Sequence, residues 1–356
     1  MKKAGVLGAT GSVGQRFILL LSDHPEFELS VLGASSRSAG KRYEDAVVWK
    51  QTDLLPESAR NIIVQECKAE AFKDCDIIFS GLDADYAGEI EKEFVSSGLA
   101  VVSNAKNYRR EADVPLIVPI VNPEHLEIVE QKVKSGQKGF QICISNCSTA
   151  GLVAPLKPLV EKFGPIDLLT TTTLQAISGA GFSPGVPGID ILDNIVPFIS
   201  GEEEKMEWET RKILGGLSED KMECRLVSED AMKVSAQCNR VPVIDGHTEC
   251  ISLRFERRPP PSVEAVKQCL RDYVCEASKL GCPSAPKNTI HVLEQNDRPQ
   301  PRLDRVRDNG FGVSVGRIRE DPVLDFKMVV LSHNTIIGAA GSGVLIGEIL
   351  LKKGLI

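Results

Sequence analysis

The chain has 356 residues, 42% hydrophobic and 26% charged, with a formal net charge of −7. This is length enough for two domains, and the composition is that of an ordinary globular protein; the acidic balance, with no basic run, argues against a nucleic-acid partner. No apolar run is long enough to suggest a membrane span, Met1-Lys2-Lys3 leads into a short strand rather than a signal peptide, and ten scattered cysteines without a C-x-x-C pair read as reduced cytoplasmic thiols, not a disulfide framework or a zinc site.

Lys3 to Leu7 reads as a short buried strand, followed by Gly8-Ala9-Thr10-Gly11-Ser12-Val13-Gly14 and an amphipathic helix through Phe17, Leu20 and Leu21. A strand, a glycine-rich turn and a helix in that order make a dinucleotide site. The glycines let the backbone approach a pyrophosphate that rests on the helix N-terminus. Gly8, Thr10, Gly11, Ser12 and Val13 are the candidate contacts. The second strand, Phe27 to Leu32, ends near Ser35-Ser36-Arg37 where an NAD site usually carries an acid. Serines and an arginine suit a 2′-phosphate, so NADP is expected. Further strands at Asp76 to Ser80, Leu99 to Ser103 and Leu116 to Ile120 alternate with helical stretches and predict a parallel, doubly wound sheet. Ser80 and Asn104 fall at or just past strand ends, where such sheets bind ligands. Arg109 follows soon after.

An apolar run, Gln141 to Ser145, ends at Asn146, and a helical run starts at Ser148. Cys147 lies at the junction, where free amides and the helix dipole favour a thiolate and offer donors for an oxyanion. The threonine-rich strand Ile166 to Ile177 contains Gln175 and closes at Ser178-Gly179-Ala180-Gly181; a Gly/Pro-rich loop, Phe182 to Gly188, follows. Gly201 to Leu214 reads as a helix with acids in its first turn, and Glu202 and Lys205 share a face. Arg240 and His247 flank the turn signal Asp245-Gly246, so adjacent strand segments are expected to present both to one cleft. His24 and His125 lie beside prolines in polar, loop-like settings. Ser262 to Ser278 reads as one helix, Pro299 to Asp308 as a loop, and Phe311 to Ile318 and Leu324 to Leu331 as strands. The small residues after Asn334-Thr335 lead into a C-terminal helix ending near Lys352.

Together, Gly8 to Gly14, Ser145-Asn146-Cys147-Ser148-Thr149, Gln175 to Gly181, Asn239-Arg240-Val241-Pro242-Val243 with His247, and Asn334-Thr335 resemble the aspartate-semialdehyde dehydrogenase family over essentially the whole chain. The form is that of its archaeal and fungal branch. The resemblance implies an α/β fold: a Rossmann-like parallel-sheet domain, residues 1–146 completed by 334–356, and an α+β catalytic and dimerisation domain, 147–333, of the glyceraldehyde-3-phosphate-dehydrogenase-like kind. It implies NADPH-dependent reductive dephosphorylation of L-4-aspartyl phosphate to L-aspartate 4-semialdehyde in threonine and methionine biosynthesis, by a cytoplasmic homodimer or homotetramer without a metal.

By the same resemblance Cys147 forms the thioester, His247 is the acid/base and Gln175 orients the acyl group. Arg240 clamps the substrate α-carboxylate and Glu202 meets its ammonium. Lys205 and Arg109, with Asn104 nearby, bind phosphate, and Arg110 is a second choice of arginine. Ser178, Gly179 and Asn334 join Ser80 and the N-terminal residues at the cofactor. Other acyl reductases of this architecture, acting on N-acetylglutamyl phosphate or malonyl-CoA, are the alternatives, as is a non-catalytic NADP-binding sensor.

Overall fold

Two sheets organise the computed structural model, which describes residues 1–356. The first contains β1 (Lys2–Leu7), β2 (Phe27–Ala34), β3 (Gln65–Glu66), β4 (Ile77–Ser80), β5 (Ala100–Ser103), β6 (Leu116–Ile117) and β7 (Phe140–Ile144). Their order is β3-β2-β1-β4-β5-β7-β6, and every pairing is parallel. The residues of β4, β5 and β7 are buried throughout, as expected of strands covered on both faces. Their C-terminal ends bring Gly8, Ser35, Ser80, Asn104 and Asn146 to one edge of the sheet, the usual place for a ligand crevice.

A small hairpin, β9 (Gly216–Leu217) and β10 (Cys224–Arg225), lies apart from a second, mixed sheet. That sheet contains β8 (Ile166–Gln175), β11 (Lys233–Arg240), β12 (His247–Phe255), β13 (Ile290–Leu293), β14 (Val313–Glu320) and β15 (Phe326–Ser332), in the order β11-β8-β12-β15-β14-β13. Alternate residues of β8 (Leu169, Thr171, Thr173, Gln175) turn inward and are buried, while Thr170 is exposed. The helix Cys147–Phe163 starts at the end of β7 and packs on the second sheet; a side chain at Gly151 would meet Ser332 and Glu249. This helix therefore carries Cys147 from the edge of one sheet onto the face of the other.

The C-terminal helix Gly341–Lys352 returns to the first sheet, with Gly343 against Phe17 and Gly347 against Phe79. Its Glu348 accepts from His24 Nε2 at 2.8 Å in a buried pair. His24 and His125 are thus not loop residues in water: both are buried, and His125 Nδ1 lies 3.1 Å from Asn122 Nδ2.

The sequence reading departs from the fold in four further places. The helix expected over Ser262 to Ser278 is two, Val263–Asp272 and Glu276–Lys279. Between them Tyr273 is extended, its hydroxyl donating to Ile120 O at 2.8 Å, and the Cys275 amide bonds Thr289 Oγ1. The loop expected over Pro299 to Asp308 holds one helical turn, Pro301–Asp304, because buried Asp304 gathers Arg298 and Arg307. The strand expected to reach Ile120 stops at Ile117, since Asn122 Oδ1 takes the Val118 amide. A wider turn, Ile336–Ala340, precedes the C-terminal helix. No helix is long and apolar enough to cross a membrane.

Candidate active site

A cavity of 530 Å³ lies where the two sheets meet, and Cys147 lines it. Cys147 is the first residue of its helix, and Asn146 is the cap. Asn146 Oδ1 accepts from the Ser148 and Thr149 amides at 2.9 and 3.1 Å. The cap therefore takes two of the first-turn amides that could otherwise serve an oxyanion. The Cys147 amide is the first-turn donor left over.

His247 Nε2 lies 3.2 Å from Cys147 Sγ, and its Nδ1 accepts from the Ala176 amide at 3.0 Å. A backbone N–H can only donate, so Nδ1 is unprotonated and the neutral ring carries its proton on Nε2, towards sulfur. The opposite tautomer would set two N–H groups face to face and orphan a buried amide, costing about 1–3 kcal/mol. As placed, the ring turns Nε2 towards the sulfur, so the expected acid/base and nucleophile stand within hydrogen-bond reach of each other. Burial pushes the Cys147 thiol up to about 12, with Glu202 adding to the effect of burial against Arg240, Arg109 and Lys205. Burial and then Arg240 press the imidazole down to about 3. Burial is the largest cause of both shifts, and it opposes the helix end, which favours a thiolate.

Arg240 and His247 do share the site, but not from adjacent strands. β8 lies between theirs, parallel to β11 and antiparallel to β12. Arg240 pairs in register with Gln175, and its Nη1 donates to Ala176 O at 2.7 Å. A side chain at Gly179 would press on Arg240 Nη1 (3.1 Å) and His247 Cε1 (3.3 Å), so glycine is what lets the two close in. Gln175 also lines the cavity, its amide held by Thr173 Oγ1 at 3.2 Å.

The charged wall comes from the helix Glu202–Ile213. Glu202 accepts from Asn146 Nδ2 at 2.7 Å and pairs with Lys205 at 3.1 Å. Glu209, seven residues on and on the same face, receives the Asn146 amide at 2.6 Å and pairs with Arg109 at 2.8 Å. Buried Lys212 donates to the carbonyls of Arg109, Glu111 and Val114, fixing the Arg109 loop. Arg109 and Asn104 line the cavity, whereas Arg110 stacks over Trp208 with its Cζ 4.6 Å from the ring centre. The geometry therefore favours Arg109 over Arg110. Sequence reasoning missed Asn146, Glu209 and Lys106. Lys106 is an exposed cation on the cavity wall.

Ser12 and Val13 bring the glycine turn to the same cavity, joined by Ser178, Gly179 and Asn334. Asn334 Nδ2 donates to Ser178 Oγ at 2.8 Å, and its Oδ1 takes the Gly246 amide. A Cβ at Gly14 would come within 2.1 Å of Gly8 O, so that helix can start there only with glycine. No side chain caps its N-terminus, which leaves first-turn amides for an anion such as a pyrophosphate. Gly8, Thr10 and Gly11 form the turn behind Ser12, outside the cavity wall. Ser35, Ser36 and Arg37 form an exposed turn after β2 on the same sheet edge, also outside the cavity. Ser80 is fully buried and its carbonyl receives the Asn104 amide, so it supports the wall from behind. The residues present suit a dinucleotide whose nicotinamide end reaches Cys147.

Comparison with known proteins places this geometry. A family described as semialdehyde dehydrogenase, NAD binding domain, matches residues 3–129, and semialdehyde dehydrogenase, dimerisation domain, matches 156–337. The aspartate-semialdehyde dehydrogenase of Saccharomyces cerevisiae is 78% identical, covering 100% of this chain and 99% of its own. That of Archaeoglobus fulgidus is 45% identical over 99% of this chain and 98% of its own. A crystal structure of the Candida albicans enzyme with NADP matches with a TM-score of 0.96 at 74% identity, covering 100% of both chains.

Proposed function

The chain belongs to the aspartate-semialdehyde dehydrogenase family, oxidoreductases of amino-acid biosynthesis, and from that premise we propose how its own residues work. The reaction is the NADPH-dependent reduction of L-4-aspartyl phosphate to L-aspartate 4-semialdehyde with release of phosphate, in the route to threonine and methionine. The observation that carries this reading is the pair Cys147 Sγ and His247 Nε2, 3.2 Å apart, in a cavity shared with the dinucleotide turn.

Cys147 attacks the acyl carbon, phosphate departs and a thioester remains. NADPH, when bound along the Gly8–Gly14 turn with its 2′-phosphate at Ser35, Ser36 and Arg37, supplies the hydride. Ser178, Gly179 and Asn334 border the nicotinamide end. The remaining steps belong to the protein. Gln175 orients the acyl group, and Arg240 offers a planar fork to the α-carboxylate. Glu202 receives the ammonium group, which favours a free amino acid over an N-acylated one. Arg109 and Lys205 balance the phosphate charge with Asn104 beside them, and His247, 3.2 Å from the sulfur, is the acid/base that takes the thiol proton and returns one as the thiohemiacetal collapses.

The division of labour follows the two sheets: residues 1–146 with 334–356 hold the cofactor, and 147–333 hold the catalytic groups and the contact between copies. A homodimer is the assembly this reading favours, with pairing of dimers its extension, and the cytoplasm is the site of action. The test is phosphate-dependent formation of NADPH from L-aspartate 4-semialdehyde, NADP and phosphate. No absorbance change anywhere between roughly pH 7 and 9 would defeat the reading.

A further inference from the structure

β11 is an edge strand, paired with β8 on one side only. An open edge leaves outward amides without partners. Here Ala236, Cys238 and Arg240 each find one off the sheet. The Ala236 amide donates to Glu207 Oε1 at 3.1 Å, and the Cys238 amide donates to Glu203 Oε1 at 3.0 Å. The Arg240 amide donates to Val196 O at 2.8 Å. Glu203 and Glu207 lie one turn apart on the helix Glu202–Ile213, so both reach the strand from one face. Between them, Met206 Sδ accepts from Cys238 Sγ at 3.6 Å. Glu202 and Arg240 line the cavity, whereas Glu203 and Glu207 do not. The helix is thus bonded along the strand edge from outside the site. The bond nearest the site, Glu203 to Cys238, lies next to Glu202 in the helix and two residues before Arg240 in the strand.

The α-carboxylate and α-ammonium groups of an amino acid sit on one carbon. The side chains that receive them must therefore stand at one separation, and here one is on a helix and the other on a strand. Asn146 Nδ2 holds Glu202 and Ala176 O holds Arg240, but neither contact joins the helix to the strand. We propose that Glu203 is a positioning residue for substrate specificity: by holding the Cys238 amide it fixes the spacing between Glu202 and Arg240, and so selects a semialdehyde with both an α-ammonium and an α-carboxylate over the same chain without the ammonium. The proposal rests on the roles given above to Glu202 and Arg240. Glu203 acts by reach and not by charge. A side-chain amide oxygen at the same length can accept the same backbone N–H. An acid one methylene shorter cannot meet Cys238 without drawing the helix towards the strand.

Succinate 4-semialdehyde lacks only the ammonium group. Its competition against L-aspartate 4-semialdehyde, with NADP and phosphate saturating, gives its inhibition constant. The ratio of that constant to the KM of the amino substrate measures the discrimination. Glu203→Asp should lower the ratio by about 10-fold, the low end of what one charged hydrogen bond contributes, chiefly through a higher KM for L-aspartate 4-semialdehyde. The KM for NADP should stay as in wild type. Glu203→Gln keeps the reach and should keep the wild-type ratio. Glu207→Asp shortens the neighbouring bond, a turn farther from Glu202, and reports any general loosening of the helix; its ratio should also stay near wild type. An unchanged ratio in Glu203→Asp, an equal fall in Glu203→Gln, or an equal fall in Glu207→Asp overturns the proposal. Wild-type enzyme that binds the two semialdehydes alike defeats the reading of Glu202 as the ammonium partner, and this proposal with it. A wild-type preference that survives intact in Glu203→Asp defeats this proposal alone.

Discussion

Asn146 caps the Cys147 helix and holds Glu202 with the same side chain. Its Oδ1 takes the Ser148 and Thr149 amides, and its Nδ2 donates to Glu202 Oε1 at 2.7 Å. The helix start and the proposed ammonium partner are therefore tied at one residue. Asn146→Ala loses both and should cost about 0.5–2 kcal/mol for the cap alone. Asn146→Asp keeps the cap but sets a second carboxylate against Glu202. The Asp variant should melt above the Ala variant and yet show the larger rise in semialdehyde KM. Thermal midpoints and KM values on both proteins check this, and equal KM values in the two variants would detach Glu202 from Asn146 in function.

The Gly8–Gly14 turn and the Cys147 junction were legible because each is local. A strand, a turn and a helix within some fifteen residues declare themselves by residue type and period. Glu209 and Ala176 were not. Glu209 acts on partners 63 and 100 residues away, and the amide of Ala176 acts on a ring 71 residues away. No spacing in the sequence links them. The same holds for β8, which the turn at Asp245-Gly246 gave no reason to insert between β11 and β12. Nor is the burial that raises the Cys147 thiol and lowers the His247 ring legible in sequence, since desolvation depends on everything that packs around a group.

Glu249 makes stability fall with rising pH. Burial alone holds its carboxyl well above the usual range, so the fold keeps it neutral. Because the folded value exceeds the unfolded value of about 4.3, its contribution is complete below that pH and is lost as pH rises towards the folded value. Glu249→Gln is uncharged at every pH and escapes this loss. The melting temperature of the variant minus that of the wild type should therefore increase as pH rises above the unfolded value of about 4.3. A difference that stays flat over this range would mean that the carboxylate finds a partner in solution.

Arg37 should govern the choice of cofactor. It lies in the exposed turn after β2, on the sheet edge that carries the glycine turn. A charge-assisted hydrogen bond to a 2′-phosphate contributes about 1.5–3 kcal/mol, or roughly 10- to 150-fold. Arg37→Ala should raise the NADPH KM by that order and leave the NADH KM nearly unchanged. Added salt should weaken NADPH binding to wild type more than to the variant. An unaltered NADPH/NADH preference would remove Arg37 from the site.

Arg240 holds its place through Ala176 and faces the cavity with what remains of its fork. Nη1 donates to Ala176 O at 2.7 Å, and its backbone bridges Val196. The residue is buried, so its remaining donors are aimed by the protein and not by water. Lysine would keep the charge and lose the planar fork, and one ammonium cannot both hold the Ala176 carbonyl and grip a carboxylate in two bonds. Arg240→Lys should raise the semialdehyde KM by roughly 10- to 150-fold, about 1.5–3 kcal/mol. It should lower kcat as well, because a shifted α-carboxylate misplaces the reacting carbon near Cys147. The KM for NADP should stay close to wild type, since the cofactor turn is on the other sheet. A rise in the NADP KM with an unchanged semialdehyde KM would instead assign Arg240 to the cofactor, across Gly179.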